Sequence, residues 1–212
     1  MPTMGQMLTA ERISALLADQ SSPGMEPRIF SFRFAQPPRP AAVLIAFQSD
    51  NRENGDFQIV YTRRTDIVPD HKSQVAFPGG RAEIQDKNPI ETALRESYEE
   101  IGLKPEDVTV LGALDSILTI SNYLVTPIVG IIPSNYTFKP EPKEVDRVFT
   151  IPLSWLAMRE NFETRLREVN PPLLEKPDVL RVIYFKPFDG ETLWGVSAEI
   201  TLRLLYKLRL LE

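Results

Sequence analysis

Apolar residues recur along the chain with two different periods, and the change of period divides it into elements. Between Thr9 and Gln20 the positions Ile13, Leu16 and Leu17 fall at helical spacing behind a hydroxyl residue able to cap them, so a short amphipathic helix is expected. Pro23, Pro27, Pro37, Pro38 and Pro40 then favour an extended connection. Residues 41–47 and 57–62 are rich in apolar and β-branched side chains and flank a polar stretch with Gly55, the pattern of a hairpin. A polar loop covers 63–73, residues 74–77 read as a short strand, and Pro78 with Gly79 and Gly80 ends it in a turn.

Helical spacing returns at 89–101, with Asn88 in front, Pro89 in the first turn and Gly102 just past the end. Residues 109–118 and 123–132 read as strands, 151–159 as the start of a helix, and 165–169 with 182–185 as a hairpin. A long helix is expected over 194–211, with Val196, Ile200, Leu204, Leu208 and Leu211 on one stripe. Strands first, with helices between and after them, predict the α/β class, a mixed sheet covered by helices.

The 89–101 helix is chemically the most informative element. At about 100° per residue, Thr92, Arg95, Glu96, Glu99 and Glu100 share one side, while Ile90, Ala93, Leu94, Ser97, Tyr98 and Ile101 share the other. Like charges at this spacing repel by roughly 0.2–0.5 kcal/mol per exposed pair. Arg95 reaches Glu91 and Glu99 at i±4, but one guanidinium cannot neutralise the whole group. The face is therefore either a solvated acidic surface or a seat for a hard cation such as Mg²⁺ or Mn²⁺.

Composition narrows the choice. With 42% hydrophobic and 25% charged residues, a chain of 212 residues can bury one real core. The formal charge of −5 and the lack of a basic stripe argue against nucleic acid, and an anionic substrate would need local Arg and Lys or a bound cation. No cysteine is present, which excludes thiol nucleophiles and thiolate metal sites, and a single histidine, His71, excludes multi-histidine zinc. The N-terminus lacks a signal-peptide pattern and the apolar run 124–132 is far short of the ~20 residues that span a bilayer, so a cytoplasmic protein without membrane attachment is expected.

From Gly79 to Leu103 the chain reads GGRAEIQDKNPIETALRESYEEIGL. This resembles the Nudix box, a glycine, a carboxylate and then Arg-Glu-x-x-Glu-Glu-x-Gly, at Gly80, Asp86, Arg95, Glu96, Glu99, Glu100 and Gly102. Asp86 stands where Glu is common, and its distance to Arg95 is one residue longer than the usual spacing. The coenzyme A diphosphatase branch is similar in both respects, and it adds an upstream signature like DHKSQVAFPGG, residues 70–80. His71, Lys72, Gln74, Phe77 and Pro78 match that signature, and Ser73 stands where Gly is usual. Residues 121–133 look like the branch's central strand, with Asn122 in place of Gly, and residues 144–156 and 193–200 look like its later helix segments.

The resemblance implies a Nudix-type α/β/α sandwich with a metal-binding loop–helix–loop, over residues 41–212, with residues 1–40 as an N-terminal helix and Pro-rich extension. It also implies hydrolysis of a diphosphate bond in a nucleotide derivative, with coenzyme A or acyl-CoA as substrate and Mg²⁺ or Mn²⁺ as cofactor. Glu96, Glu99 and Glu100 are then the metal ligands, and Arg95 orients them. Gly79, Gly80, Arg64, Lys72 and Arg81 are placed to meet substrate, against the alternative of turn glycines and ordinary surface charges. The general base stays open among the helix glutamates, Glu141 and Glu144. ADP-ribose, dinucleotides or (d)NTPs are alternative substrates, and a catalytically silent nucleotide-binding module is the rival from another class. The apolar C-terminal helix can cover the core or join two copies in a homodimer.

Overall fold

The computed structural model describes residues 8–20, 36–49, 56–66, 74–169 and 178–211. In chain order these form α1 (Ala10–Ala18), β1 (Arg39–Ser49), β2 (Phe57–Arg64), β3 (Val75–Ala76), β4 (Gly79–Arg81) and α2 (Pro89–Ile101). Then follow β5 (Thr109–Ala113), β6 (Ile117–Leu118), β7 (Tyr123–Ile132), β8 (Val145–Pro152), α3 (Leu153–Leu156), β9 (Phe162–Val169), β10 (Asp178–Phe185) and α4 (Gly195–Lys207).

Strands β1 to β8 make one mixed sheet. Its central pair, β1 and β7, runs parallel from Arg39↔Tyr123 to Gln48↔Ile132, and every other pairing is antiparallel. Side chains alternate between the faces, so β1 sends Ala42, Leu44 and Ala46 to the α2 side, and Ile45 and Phe47 to the side of α1 and α4. Both faces are covered, which is why β1 and β7 read as nearly continuous apolar runs. Helix α1 belongs to this core: Ile13, Leu16 and Leu17 are buried, Ser14 Oγ donates to the Leu111 carbonyl, and Leu17 lies against Gly112.

One feature of the sheet positions the site. On one side of β1 its early residues Ala41–Val43 pair with β4, while its late residues Phe47–Ser49 pair with β2. β1 and β2 thus part company along their length, and the segment from β3 to β4 crosses the fork, with the Leu44 N–H donating to the Pro78 carbonyl.

Several expectations need correction. Gly79 and Gly80 are in a strand, not a turn, because β4 completes the ladder of β1. The region 109–118 breaks into β5 and β6, each pairing separately with β7. Residues 144–152 form no helix: β8 pairs with the length of β2, and only one helical turn, Leu153–Leu156, follows before a 3-10 turn at Arg159–Asn161. Sheet pairing of the β-branched Val145, Val148, Thr150 and Ile151 overrides the local helical spacing. The final helix stops at Lys207, and of its stripe Ile200, Leu204 and Leu208 are buried in the chain's own core while Val196 is exposed. The 50–55 connection of the expected first hairpin lies outside the described residues. No described helix is long and apolar enough to cross a membrane.

Candidate active site

Local chemistry holds α2 in place. Asn88 Oδ1 accepts from the Glu91 N–H, Pro89 fills a first-turn position whose N–H has no helical partner, and Gly102 closes the helix in the left-handed region at φ 66°. The observed faces differ from the helical wheel. Thr92 and Glu100 point into the protein, whereas Ile90 and Tyr98 are exposed. Glu100 finds its polar partners at the sheet fork, and Thr92 finds Asp86 in the loop before the helix.

Arg95 organises the loop before the helix. Its Nε and Nη2 grip both oxygens of Asp86 at 3.0 and 2.9 Å, and Nη2 also donates to the Arg81 carbonyl at 2.9 Å. Nη1 donates to Glu96 and Glu99 at 3.0 and 2.9 Å. Asp86 in turn accepts from Thr92 Oγ1 at 3.0 Å and the Glu83 N–H at 2.8 Å. Held this way, its carboxyl drops to about 2, with the Arg95 hydrogen bonds as the main cause. The expected Arg95–Glu99 pair is present; Glu91 instead faces Lys87.

Glu100 closes the fork. Only 3% of its surface is exposed. One carboxylate oxygen accepts from Arg64 Nη1 at 3.1 Å on β2, and the other from the Gly79 N–H at 3.1 Å on β4. Burial pushes its carboxyl up to about 7, against the Gly79 N–H and Arg64, and Glu96 and Glu144 push it further in the same direction. Glu96 is also raised, first by burial, with Arg95 opposing and Glu99 and Glu144 reinforcing the effect. At Gly80 a Cβ would lie 2.4 Å from Glu96 Oε2, so only glycine lets that carboxylate rest against the strand.

These groups line a cavity of about 610 Å³, together with Arg64, Arg81 and Glu144. Glu99 stands apart, with 55% of its side chain exposed. Among the candidates for substrate contact, Gly79, Gly80, Arg64 and Arg81 meet at this cavity, and the Gly79 N–H is already engaged by Glu100. Lys72 and His71 lie outside the described residues. Glu144, in the turn just before β8, lines the cavity from a segment far along the chain, while Glu141 uses its N–H on the Glu100 carbonyl. Glu144 is a candidate from the sequence by residue type alone; the pairing of β8 with β2 brings it to the cavity.

A divalent cation fits this donor set by its chemistry: hard oxygen donors, among them the buried Glu100 and the half-buried Glu96, whose charge neighbouring carboxylates make costlier. Among the described residues no three carboxylates surround a common point, and Glu100 and Glu96 are paired with Arg64 and Arg95.

A mixed sheet between helices, with a glycine strand leading into a carboxylate helix, makes this an α/β protein whose charged cavity sits where the strand meets the helix. Residues 37–177 match the family model of the NUDIX domain. A protein of Yersinia enterocolitica called "Uncharacterized Nudix hydrolase NudL" is 39% identical over 146 residues, covering 69% of this chain and 71% of its own length. Its namesake in Pectobacterium atrosepticum is 37% identical over 67% of this chain and 70% of its own. Among solved structures, a MutT/nudix family protein from Enterococcus faecalis aligns with a TM-score of 0.53 at 14% identity, covering 85% of this chain and 65% of that one, a likeness of fold. The chain belongs to the Nudix hydrolase family, enzymes that act on nucleotide derivatives and generally use divalent metal ions.

Proposed function

We propose that this enzyme is a diphosphatase of coenzyme A or acyl-CoA, dependent on Mg²⁺ or Mn²⁺, working in the cytoplasm and releasing 3′,5′-ADP and (acyl-)4′-phosphopantetheine. The observation that carries the reading is the cavity where Glu96, Glu100 and Glu144 face Arg64 and Arg81, a combination suited to a diphosphate with its counter-cation. The substrate class is supported by the Asp86-to-Arg95 spacing, whose extra residue still lets Arg95 grip both Asp86 oxygens, and by the match of residues 70–80 to the upstream signature.

Glu96 and Glu100 would hold the cation, and Glu99, exposed and bonded to Arg95, would join them only by turning from that partner. When bound, the cation would neutralise charge growing on the diphosphate and lower the pKa of a water, so that a general base could take its proton and leave hydroxide to attack phosphorus. Arg64 and Arg81, with Lys72, meet the phosphate oxygens. Arg64 lines the cavity while one of its guanidinium nitrogens, Nη1, is engaged by Glu100. Arg95 keeps Glu96 and the 81–86 loop in register. Glu144 is the better placed of the two distant carboxylates to orient the attacking water.

The test is product analysis by mass spectrometry after incubation with coenzyme A, ADP-ribose, NADH and dNTPs, with Mg²⁺ or Mn²⁺ and then with chelator. We expect 3′,5′-ADP and 4′-phosphopantetheine from coenzyme A, abolished by chelation. Cleavage of another substrate in preference would replace the substrate class, and no cleavage of any would favour a binding module.

A further inference from the structure

The turn between β4 and α2 carries Ile84, whose side chain is fully solvent-exposed, at 105%. Of the exposed large apolar residues described, the next, Leu166 on the β9–β10 hairpin, reaches 70%. An apolar side chain on a loose loop would mean little. This turn is braced. The Glu83 N–H donates to Asp86 Oδ2 at 2.8 Å, the Asp86 N–H returns to the Glu83 carbonyl at 3.1 Å, and Arg95 and Thr92 fix Asp86 itself.

The braced turn sets Ile84 at the cavity formed by Glu96, Glu100, Arg64 and Arg81. Its flanking residues Glu83 and Gln85 are polar, and the other aliphatic side chain lining the cavity, Ala82, is a single methyl group, so no large apolar cluster accounts for it. The inner part of the cavity is charged and suits a diphosphate, while the rim offers one large aliphatic side chain held in water. Covering that surface is favourable only for a ligand part that is itself apolar and projects outward from the diphosphate. A purine base would find a flat cationic partner in the Arg81 guanidinium, whereas a methylene chain gains its contacts from an aliphatic side chain.

We propose that Ile84 is a specificity residue that packs against the apolar arm attached to the diphosphate, the pantetheine and acyl end of an acyl-CoA; this rests on the proposed function. It takes no part in the chemical step. The experiment compares kcat and KM of wild type, Ile84→Ser and Ile84→Leu on coenzyme A and on a long-chain acyl-CoA, with the inhibition constant of 3′,5′-ADP, which has no arm, as control. For acyl-CoA the Ser variant should raise KM about tenfold with kcat nearly unchanged, coenzyme A should shift less, and Leu should restore the wild-type value. Inhibition by 3′,5′-ADP should be unchanged in all three proteins. An unaltered KM for acyl-CoA, a loss in kcat, or an equal weakening of 3′,5′-ADP would overturn the inference while leaving the proposed function in place. Failure of the wild type to cleave either coenzyme A substrate would remove both.

Discussion

Helices α2 and α4 have 13 residues each and cover opposite faces of the same sheet, yet different forces hold them. Helix α4 has no side-chain cap at its start and buries Ala198, Ile200, Leu202, Leu204 and Leu205. Helix α2 buries only Ala93 and Ile101 among apolar residues, beside Thr92, Ser97 and Glu100, and relies on Asn88 and Gly102 at its ends. A helix that presents carboxylates to a cavity cannot be anchored through that face by the hydrophobic effect. Its position must come from caps, from hydrogen bonds to strand edges, and from one arginine. Loss of activity and loss of stability should therefore separate between the two helices.

The largest effect is expected at Glu100. Replacement by Gln keeps the shape but removes the charge that would hold a cation, and kcat should fall by about 10³-fold. Metal affinity, followed by Mn²⁺ titration, should weaken in parallel while the protein remains folded. Near-normal turnover in this variant would end the assignment of Glu100 as a ligand.

On the opposite face, Leu204→Ala should do the reverse. Leu204 is completely buried, so its truncation should cost about 2–5 kcal/mol by denaturant unfolding. Measured well below the melting transition, kcat should stay within about twofold of wild type, because α4 contributes none of the side chains lining the cavity. A large drop in kcat would show the two faces to be coupled.

The same contrast explains what was legible in the sequence. Both helices, the strands β1, β2 and β7, and the carboxylate cluster follow from periodicity and capping, which act over a few residues. What escaped depends on partners far along the chain. Strand β8 was hidden because its pairing with β2 is what makes Ile151 and Pro152 extended. The buried side of α2 was misassigned at Thr92 and Tyr98 because Asp86, Arg64 and the Gly79 N–H, not apolar side chains, are the partners waiting there. Glu144 reaches the cavity only through that same distant strand pairing.

A smaller effect distinguishes the two adjacent glycines. At Gly79, φ is 150° and a Cβ would sit 2.4 Å from the Ala42 carbonyl oxygen, so alanine there damages the sheet itself. At Gly80 the obstacle is the Glu96 carboxylate, the movable end of a side chain. Gly80→Ala should therefore fold with nearly unchanged stability but lose about 10- to 100-fold in kcat, since displacing a ligand group by about an ångström has that order of consequence. Equal destabilisation by the two substitutions would contradict this division.

The smallest effect concerns the brace of the α2 face in acid. The Asp86 side chain is only 4% exposed, and Arg95 lowers its carboxyl to about 2 in the folded protein from 3.8. A carboxylate with a depressed folded value stabilises the fold above its unfolded value and loses that contribution as pH falls through the folded one. Between wild type and Asp86→Asn, the unfolding free energies should differ by about 1–2 kcal/mol at pH 6. The gap should begin to close below about pH 4 and be largely gone near pH 2. Leu204→Ala, carrying no titratable change, should keep a constant offset from wild type across the same range. A pH-independent gap for Asp86→Asn would mean that the Asp86–Arg95 contact acts by shape and not by charge.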